Sequence, residues 1–129
     1  EVRATLESVR QAWPGRRVVM VYQPHRYSRT RDFYEDFVAV LSECDVLILM
    51  DVYAAGEAPI AGADSRSLTR SIRSRGKLEP IFAENVEEVP ELLSGLVAEG
   101  DVVITQGAGS VSRLAQELRS LHLQQGALL

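Results

Sequence analysis

Three arginines lie close together in residues 23–31, a segment that contains no acidic residue. Arg26 and Arg29 are three positions apart with His25 beside them, between a predicted strand and a predicted helix. An arginine side chain can hold a carboxylate or phosphate through two parallel hydrogen bonds, and backbone amides at a helix start also favour an anion. Residues 23–30, here named the arginine loop, are therefore a candidate anion site. A solvated basic loop explains the same charges equally well.

A second candidate segment, residues 51–63, begins directly after another predicted strand and carries the side chains of Asp51, Tyr53 and Glu57. Carboxylates at such a position could accept hydrogen bonds from ribose hydroxyls, from magnesium-bound water or from a substrate amine. The alternative is a long loop in which Gly56 and Pro59 only shape turns. For Asp51, immediately after the strand, the functional interpretation is favoured. We name residues 51–63 the carboxylate loop.

A third segment, residues 106–110, lies between the last predicted strand and the last predicted helix. Gly107 and Gly109 would allow a ligand to approach the backbone closely, and Ser110 could cap the helix. The segment does not fit a dinucleotide-binding fingerprint, because Ser112 occupies the third glycine position and we expect no further strand to supply a ribose-binding acid. A tight turn explains the two glycines about as well.

For the remaining residues that could carry chemistry, a structural interpretation is favoured. Residues 66–77 form a basic helical segment without the interleaved aromatic residues typical of a nucleic-acid surface, so we expect a solvated face and no nucleic-acid partner. Cys44 is expected to be a small buried apolar residue. Sequences of the types GxxxxGK(S/T), HExxH and GxSxG do not occur in the 129 residues. We therefore predict no catalytic residue and no metal site carried by this chain alone.

The elements that position these segments alternate between strand and helix. Short apolar runs rich in β-branched residues predict four strands, at residues 18–22, 46–50, 81–83 and 102–104. Apolar residues at helical spacing predict helices at residues 2–13, 33–41, 64–75, 89–97 and 111–121. Such alternation is typical of an α/β fold of the Rossmann-like, doubly wound class: a mainly parallel sheet with helices on both faces. Ligands in such folds bind at the carboxyl ends of the strands, where the three segments would meet.

The amino-acid composition limits the classes of protein to which the chain can belong. The 129 residues are 46% hydrophobic and 25% charged, with 14 basic and 18 acidic side chains and a net charge of −4. This fits one domain over residues 1–129 and excludes disordered and low-complexity classes. We expect no membrane association, because the apolar runs are far shorter than the roughly 20 residues that span a bilayer. A single cysteine favours a cytoplasmic location.

Four motifs of the chain resemble, in the same order, those of the C-terminal domain of the L-alanine-adding ligases in the Mur ligase family. They are residues 22–31, 51–60, 62–65 and 105–111. The resemblance extends to about Leu118. It implies a Rossmann-like domain that closes over an active site built largely by two preceding domains, one binding a UDP-sugar and one carrying an ATP phosphate loop.

The resemblance also implies a reaction. The γ-phosphate of ATP is transferred, with Mg²⁺, to the lactyl carboxylate of UDP-N-acetylmuramate, and the amine of L-alanine attacks the resulting acyl phosphate. UDP-N-acetylmuramate, L-alanine and ATP would then be bound through domains outside this chain. We expect no cofactor bound tightly to this chain alone, and no ligase activity from it alone.

Roles for individual residues follow from the same resemblance. His25, Arg26 and Arg29 match a motif that contacts the amino-acid carboxylate and the acyl-phosphate region. The matches to the second and last motifs would only form the wall of the site: Asp51, Tyr53, Glu57, Gly107 and Gly109. Two alternatives stay open. One is the corresponding domain of a murein-recycling ligase, and the other is a non-catalytic anion-binding module of Rossmann type.

Overall fold

The computed structural model describes residues 2–107, 111, 113, 114, 116 and 126–128. The helices are α1 (Val2–Ala12), α2 (Tyr27–Asp32), α3 (Tyr34–Leu41), α4 (Ser65–Arg75) and α5 (Val89–Leu96), with a 3₁₀ turn at Val86–Glu88 before α5. The strands are β1 (Val18–Gln23), β2 (Val46–Met50), β3 (Ile81–Ala83), β4 (Asp101–Gly107) and β5 (Gly126–Leu128). None of these described helices has the length and apolar character required to cross a membrane.

The five strands form one parallel sheet in the order β3-β2-β1-β4-β5. The predicted α/β class and all four predicted strands are confirmed. The expectation that no strand follows β4 is wrong, since β5 pairs with β4 at the sheet edge, Asp101 facing Gly126. Its Gly-Ala-Leu sequence lacks the β-branched residues on which the other strands were predicted. It also contains no acid, so the dinucleotide fingerprint is still incomplete.

The core lies on both faces of the sheet. Alternate residues of β1 and β2, including Met20 and Leu49, pack against α1, α3 and α4 on one face. Val19 and Ile48 belong to the other face, which α5 and the buried side chains of Val111 and Leu114 cover. Both faces are buried because parallel sheets are covered by their crossover helices, which explains the continuous apolar runs. Cys44 is buried in the first cluster, as predicted.

Helix boundaries differ from the predictions most between residues 27 and 33. Helix α2 begins at Tyr27, inside the predicted arginine loop, and the backbone breaks at Phe33 (φ −118°, ψ 28°) before α3 begins. Phe33 is 51% exposed, so its predicted place on the apolar helix face is wrong. The break turns Phe33 out of the regular helical periodicity on which that prediction depended.

Helix α4 follows its prediction closely. The side chain of Asp64 accepts a hydrogen bond from the Ser67 amide at 2.8 Å, which confirms it as the N-cap. The arginines of α4 are exposed but several have partners: Arg73 donates to Glu79 at 2.6 Å, and the Arg66 guanidinium lies 4.4 Å from the centre of the Phe82 ring. Of the last predicted helix, the described residues Val111, Arg113, Leu114 and Gln116 are helical, and the others lie outside the described residues.

Candidate functional site

A cleft of about 640 Å³ opens at the carboxyl ends of β1 and β4, where ligands bind in folds of this class. Two of the predicted segments meet there: His25 and Arg29 of the arginine loop line the cleft together with Gly107. The remaining lining residues come from α1, β1, β4, α3 and the residue before α3: Val2, Arg3, Tyr22, Gln23, Phe33, Asp36, Phe37, Val40 and Gln106. The cleft is therefore lined by the charged side chains of Arg3, Arg29 and Asp36 together with apolar residues.

The arginine and carboxylate loops are joined beyond the ends of their strands. His25 and Tyr53 form an isolated parallel bridge, in which the Tyr53 amide donates to the Pro24 carbonyl and the Arg26 amide donates to the Tyr53 carbonyl, each at 2.8 Å. The His25 and Tyr53 rings stack at a centroid distance of 5.9 Å and an interplanar angle of 22°. Tyr53, although 45% exposed, thus fixes the direction of the first half of the arginine loop.

Arg26 has an unusual backbone conformation, with φ 68° and ψ 140°. A residue with a Cβ atom in this region costs about 1–3 kcal/mol and persists only where surrounding contacts hold it. Here the Arg26 carbonyl accepts hydrogen bonds from the Thr30 amide at 3.2 Å and the Thr30 hydroxyl at 3.0 Å, and Thr30 is fully buried. The arginine loop is therefore held in a specific, strained conformation, unlike a simple solvated loop.

Glu57 of the carboxylate loop caps helix α2. The Ser28 amide donates to Glu57 Oε1 at 3.1 Å, and the Ser28 hydroxyl donates to Oε2 at 2.5 Å. These hydrogen bonds from the Ser28 side chain and backbone, with the charge of Arg26, lower the pKa of Glu57. The prediction that amides at this helix start favour an external anion is wrong for Ser28, whose amide already has a carboxylate partner within the chain.

Asp51 and Gln23 lie where β1, β2 and the helical residues after β4 converge. Asp51 is half-buried, and its Oδ1 accepts a hydrogen bond from the Val52 amide at 2.9 Å. The buried Gln23 side chain donates to the Asp51 carbonyl and accepts from the Val111 amide, each at 3.2 Å. Sequence reasoning missed this role of Gln23, although a polar residue closing an apolar strand is a recognisable signal.

Gly107 and Gln106 end β4 at the cleft. Gly107 has φ 126°, and an added Cβ would overlap the backbone of Gln23, so the glycine is required by close strand packing. Gln106 was not singled out from the sequence. Its Oε1 is a buried acceptor without a hydrogen-bond partner among the described residues, and only its position beside the cleft draws attention to it. Gly109 lies outside the described residues.

The cationic groups differ in their relation to the cleft. Arg29 is exposed, and its guanidinium lies 5.9 Å from the centre of the Phe33 ring. Arg26 is also exposed but does not line the cleft. Within the described residues, no three side chains of His, Cys, Asp or Glu cluster as a metal site would require. The chemistry that this arrangement supports is the binding of an anionic group by positioned guanidinium and imidazole side chains.

Comparison with known proteins identifies related sequences. A family model described as the glutamate ligase domain of Mur ligases matches residues 1–109. A UDP-N-acetylmuramate–L-alanine ligase from Methylococcus capsulatus is 65% identical over 118 residues, which cover 92% of this chain and 25% of that protein. The chain thus spans about a quarter of the length of this relative.

Two solved structures share the fold. A UDP-N-acetylmuramate–alanine ligase from Thermotoga maritima aligns with a TM-score of 0.72 and 21% identity, over 94% of this chain and 24% of that one. A domain assigned to a UDP-N-acetylmuramate:L-alanyl-γ-D-glutamyl-meso-diaminopimelate ligase from Haemophilus ducreyi aligns with a TM-score of 0.64 and 15% identity, over 93% and 80% of the two chains. At these identities the two structures show a common fold.

Proposed function

This chain belongs to the Mur ligase family, and from that premise we propose that it is the C-terminal domain of a ligase that joins L-alanine to UDP-N-acetylmuramate. The observation that carries the proposal is the 65% identity to a protein of that activity over 92% of the chain. The murein-recycling alternative is supported only by a likeness of fold at 15% identity. A stand-alone anion-binding module is disfavoured by the same alanine-ligase relative, since most of that protein lies beyond the matched segment.

In this proposal the chain supplies substrate contacts and the remainder of a longer protein supplies the nucleotide chemistry. The 129 residues contain no GxxxxGK(S/T) phosphate loop, so we assign ATP, Mg²⁺ and the UDP-sugar to the other domains. A location in the cytoplasm, where these nucleotide substrates occur, follows from the same proposal. Residues 1–129 would act as a single closing domain.

The proposed substrate contacts come from the arginine loop. Arg29 and His25, which line the cleft, would hold the carboxylate of L-alanine or the acyl phosphate, and Arg26 would add its positive charge nearby. Fixing a small carboxylate beside the reacting carbonyl lowers the barrier because the orientational entropy is lost on binding and not in the reaction step. Of the residues proposed for the supporting wall, Gly107 lines the cleft, and Asp51, Tyr53 and Glu57 would support the loops beside it; the proposed place of Gly109 lies outside the described residues.

The test is a ligase assay on the full-length protein that contains this chain. The protein is incubated with ATP, Mg²⁺ and UDP-N-acetylmuramate, and L-alanine is compared with the tripeptide L-alanyl-γ-D-glutamyl-meso-diaminopimelate as the amine substrate. We expect product from L-alanine and essentially none from the tripeptide. The reverse preference would favour the recycling ligase, and absence of both products would contradict the proposal.

The same assay on the 129-residue chain alone tests whether the nucleotide chemistry resides in the other domains. We expect no ATP hydrolysis and no product above a control without protein. Product formation by the chain alone would show that the nucleotide chemistry had been assigned to the wrong part of the protein.

A further inference from the structure

Helix α2 has only six residues, Tyr27–Asp32, and the side chain of Arg26, at its N-cap position, makes no capping hydrogen bond. Such a short helix is not stable by itself, because few of its backbone groups are paired within the helix. The missing cap comes from a different loop, in the form of the Glu57 carboxylate. We infer that Glu57 is a positioning residue, which acts through Ser28 to hold Arg26 and Arg29 in the orientation that binds the substrate carboxylate. The inference rests on the proposed function, in which these arginines bind the substrate.

Glu57 contacts Ser28 through two hydrogen bonds, which we name the Glu57 clamp. Both carboxylate oxygens of Glu57 are used, one by the Ser28 amide and one by the Ser28 hydroxyl. A negative charge at the first turn also interacts favourably with the helix dipole. Ser28 lies between Tyr27 and Arg29 in the first turn of α2. Holding the backbone of Ser28 therefore restrains the position from which the Arg29 side chain extends.

A second restraint acts on the other side of Arg26. The Tyr53 carbonyl accepts the Arg26 amide at 2.8 Å, while Glu57 holds Ser28 two residues further on. Arg26 itself has the disfavoured φ of 68° between these two points. Without Glu57, the side of Arg26 towards the helix is held only by the Thr30 amide and hydroxyl on its carbonyl, and the backbone can relax towards an ordinary negative φ. Such a relaxation would rotate α2 and move the Arg29 guanidinium relative to His25.

The location of Glu57 separates positioning from global stability. Glu57 belongs to neither buried cluster, and its clamp joins two loops at the edge of the cleft. Removing the carboxylate should therefore alter the geometry of the arginine loop while leaving the packed sheet unchanged. The expected signature is weaker substrate binding without a comparable loss of thermal stability.

The experiment compares variants of the full-length protein in the ligase assay with varied L-alanine. Glu57→Ala is expected to raise the KM for L-alanine about tenfold or more, because displacements of about 1 Å at a site are costly, while the melting temperature stays close to that of the wild type. Glu57→Gln keeps an acceptor for the Ser28 amide and should recover part of the loss. Glu79→Ala, which removes an exposed carboxylate paired with Arg73 on α4, is the matched control and should behave as the wild type.

Hydrogen exchange of the segment 24–33 gives a readout that does not depend on activity. Exchange should be faster in Glu57→Ala than in the wild type and unchanged in Glu79→Ala. The inference is overturned if exchange in this segment is unchanged, if the KM for L-alanine is unchanged, or if Glu57→Ala loses activity only in proportion to a lowered melting temperature. A wild-type protein without L-alanine-dependent activity would contradict the proposed function, while the exchange measurement would still test the clamp.

Discussion

A Cβ atom added to Gly107 would lie 2.1 Å from the carbonyl oxygen of Gln23. The two residues face each other in the parallel register of β1 and β4, directly beside the cleft. The glycine therefore allows the protein's own strands to approach, and the close contact also fixes Gln23, whose side chain links Asp51 to Val111.

Gly107→Ala is expected to destabilise the folded protein by at least about 2 kcal/mol, because the methyl group meets backbone atoms and φ is 126°. Gly95→Ala is the control, since Gly95 lies in α5 with no heavy atom within 4 Å of an added Cβ. That change should stabilise the protein by about 0.5–1 kcal/mol. Thermal or urea unfolding of both variants measures the difference, and equal stability of the two would contradict the close approach.

Arg29→Lys tests whether the arginine loop binds substrate through a forked guanidinium. Lysine keeps the charge but loses the two-pronged geometry. In the full-length protein, kcat/KM for L-alanine should fall roughly ten- to hundredfold, or about 1.5–3 kcal/mol. Arg75→Lys, exposed in the last turn of α4, should change it little and is the control. Indistinguishable kinetics of the two variants would mean that Arg29 is ordinary surface charge.

Asp101 provides a prediction about pH. This buried carboxylate accepts hydrogen bonds from Arg17 Nη2 at 2.7 Å and from the Ala98 amide at 2.8 Å. Burial raises the pKa of Asp101, but these hydrogen bonds and the charge of Arg17 together outweigh it, so the pKa lies below its usual value. The contribution to folding stability is therefore fully present above the unfolded pKa of about 3.9 and is lost as the pH falls through the lower folded pKa.

Asp101→Asn should accordingly lower the free energy of unfolding by about 1–3 kcal/mol near neutral pH, and the difference from the wild type should shrink below about pH 4. Urea unfolding at a series of pH values measures both effects. A difference that stayed constant down to about pH 2 would show that the carboxylate charge is not what stabilises the fold.

Cys44 is predicted to be unreactive in the folded protein. Burial raises the pKa of its thiol to about 12, so at about pH 8 only on the order of one molecule in ten thousand carries the reactive thiolate. A chromogenic disulfide reagent should therefore label Cys44 slowly under native conditions and rapidly in denaturant. Fast stoichiometric labelling of the native protein would contradict the buried placement.

Much of the fold could be predicted from local sequence. Strands β1 and β2 are continuous apolar runs, a pattern produced by burial on both faces, and Asp64 precedes its helix as an N-cap should. Phe33 and β5 were not predictable in this way. Phe33 is a large apolar residue of the kind usually found in a core, but it lies at a backbone break. Strand β5 is recognisable only from its pairing with β4.

The candidate site was predictable only in part: the sequence indicated His25, Arg29 and Gly107, which line the cleft, but not Gln23 and Gln106, and not the contacts that join its loops. Arginines at a strand end indicate an anion site from local sequence alone. The capping of α2 joins Ser28 to Glu57, which are 29 residues apart, and only the parallel arrangement of β1 and β2 brings their loops together. The positive φ of Arg26 is likewise invisible in the sequence, because residues other than glycine adopt it only under tertiary constraint.

The two outermost strands of the sheet, β3 and β5, are three residues long each. An edge strand exposes amide and carbonyl groups that can pair with a strand of another molecule, and the number of such groups grows with its length. The longer strands β1 and β4, which have more groups available for such pairing, lie in the interior of the sheet with neighbours on both sides. The strand order thus gives the domain intrinsic resistance to edge-to-edge aggregation.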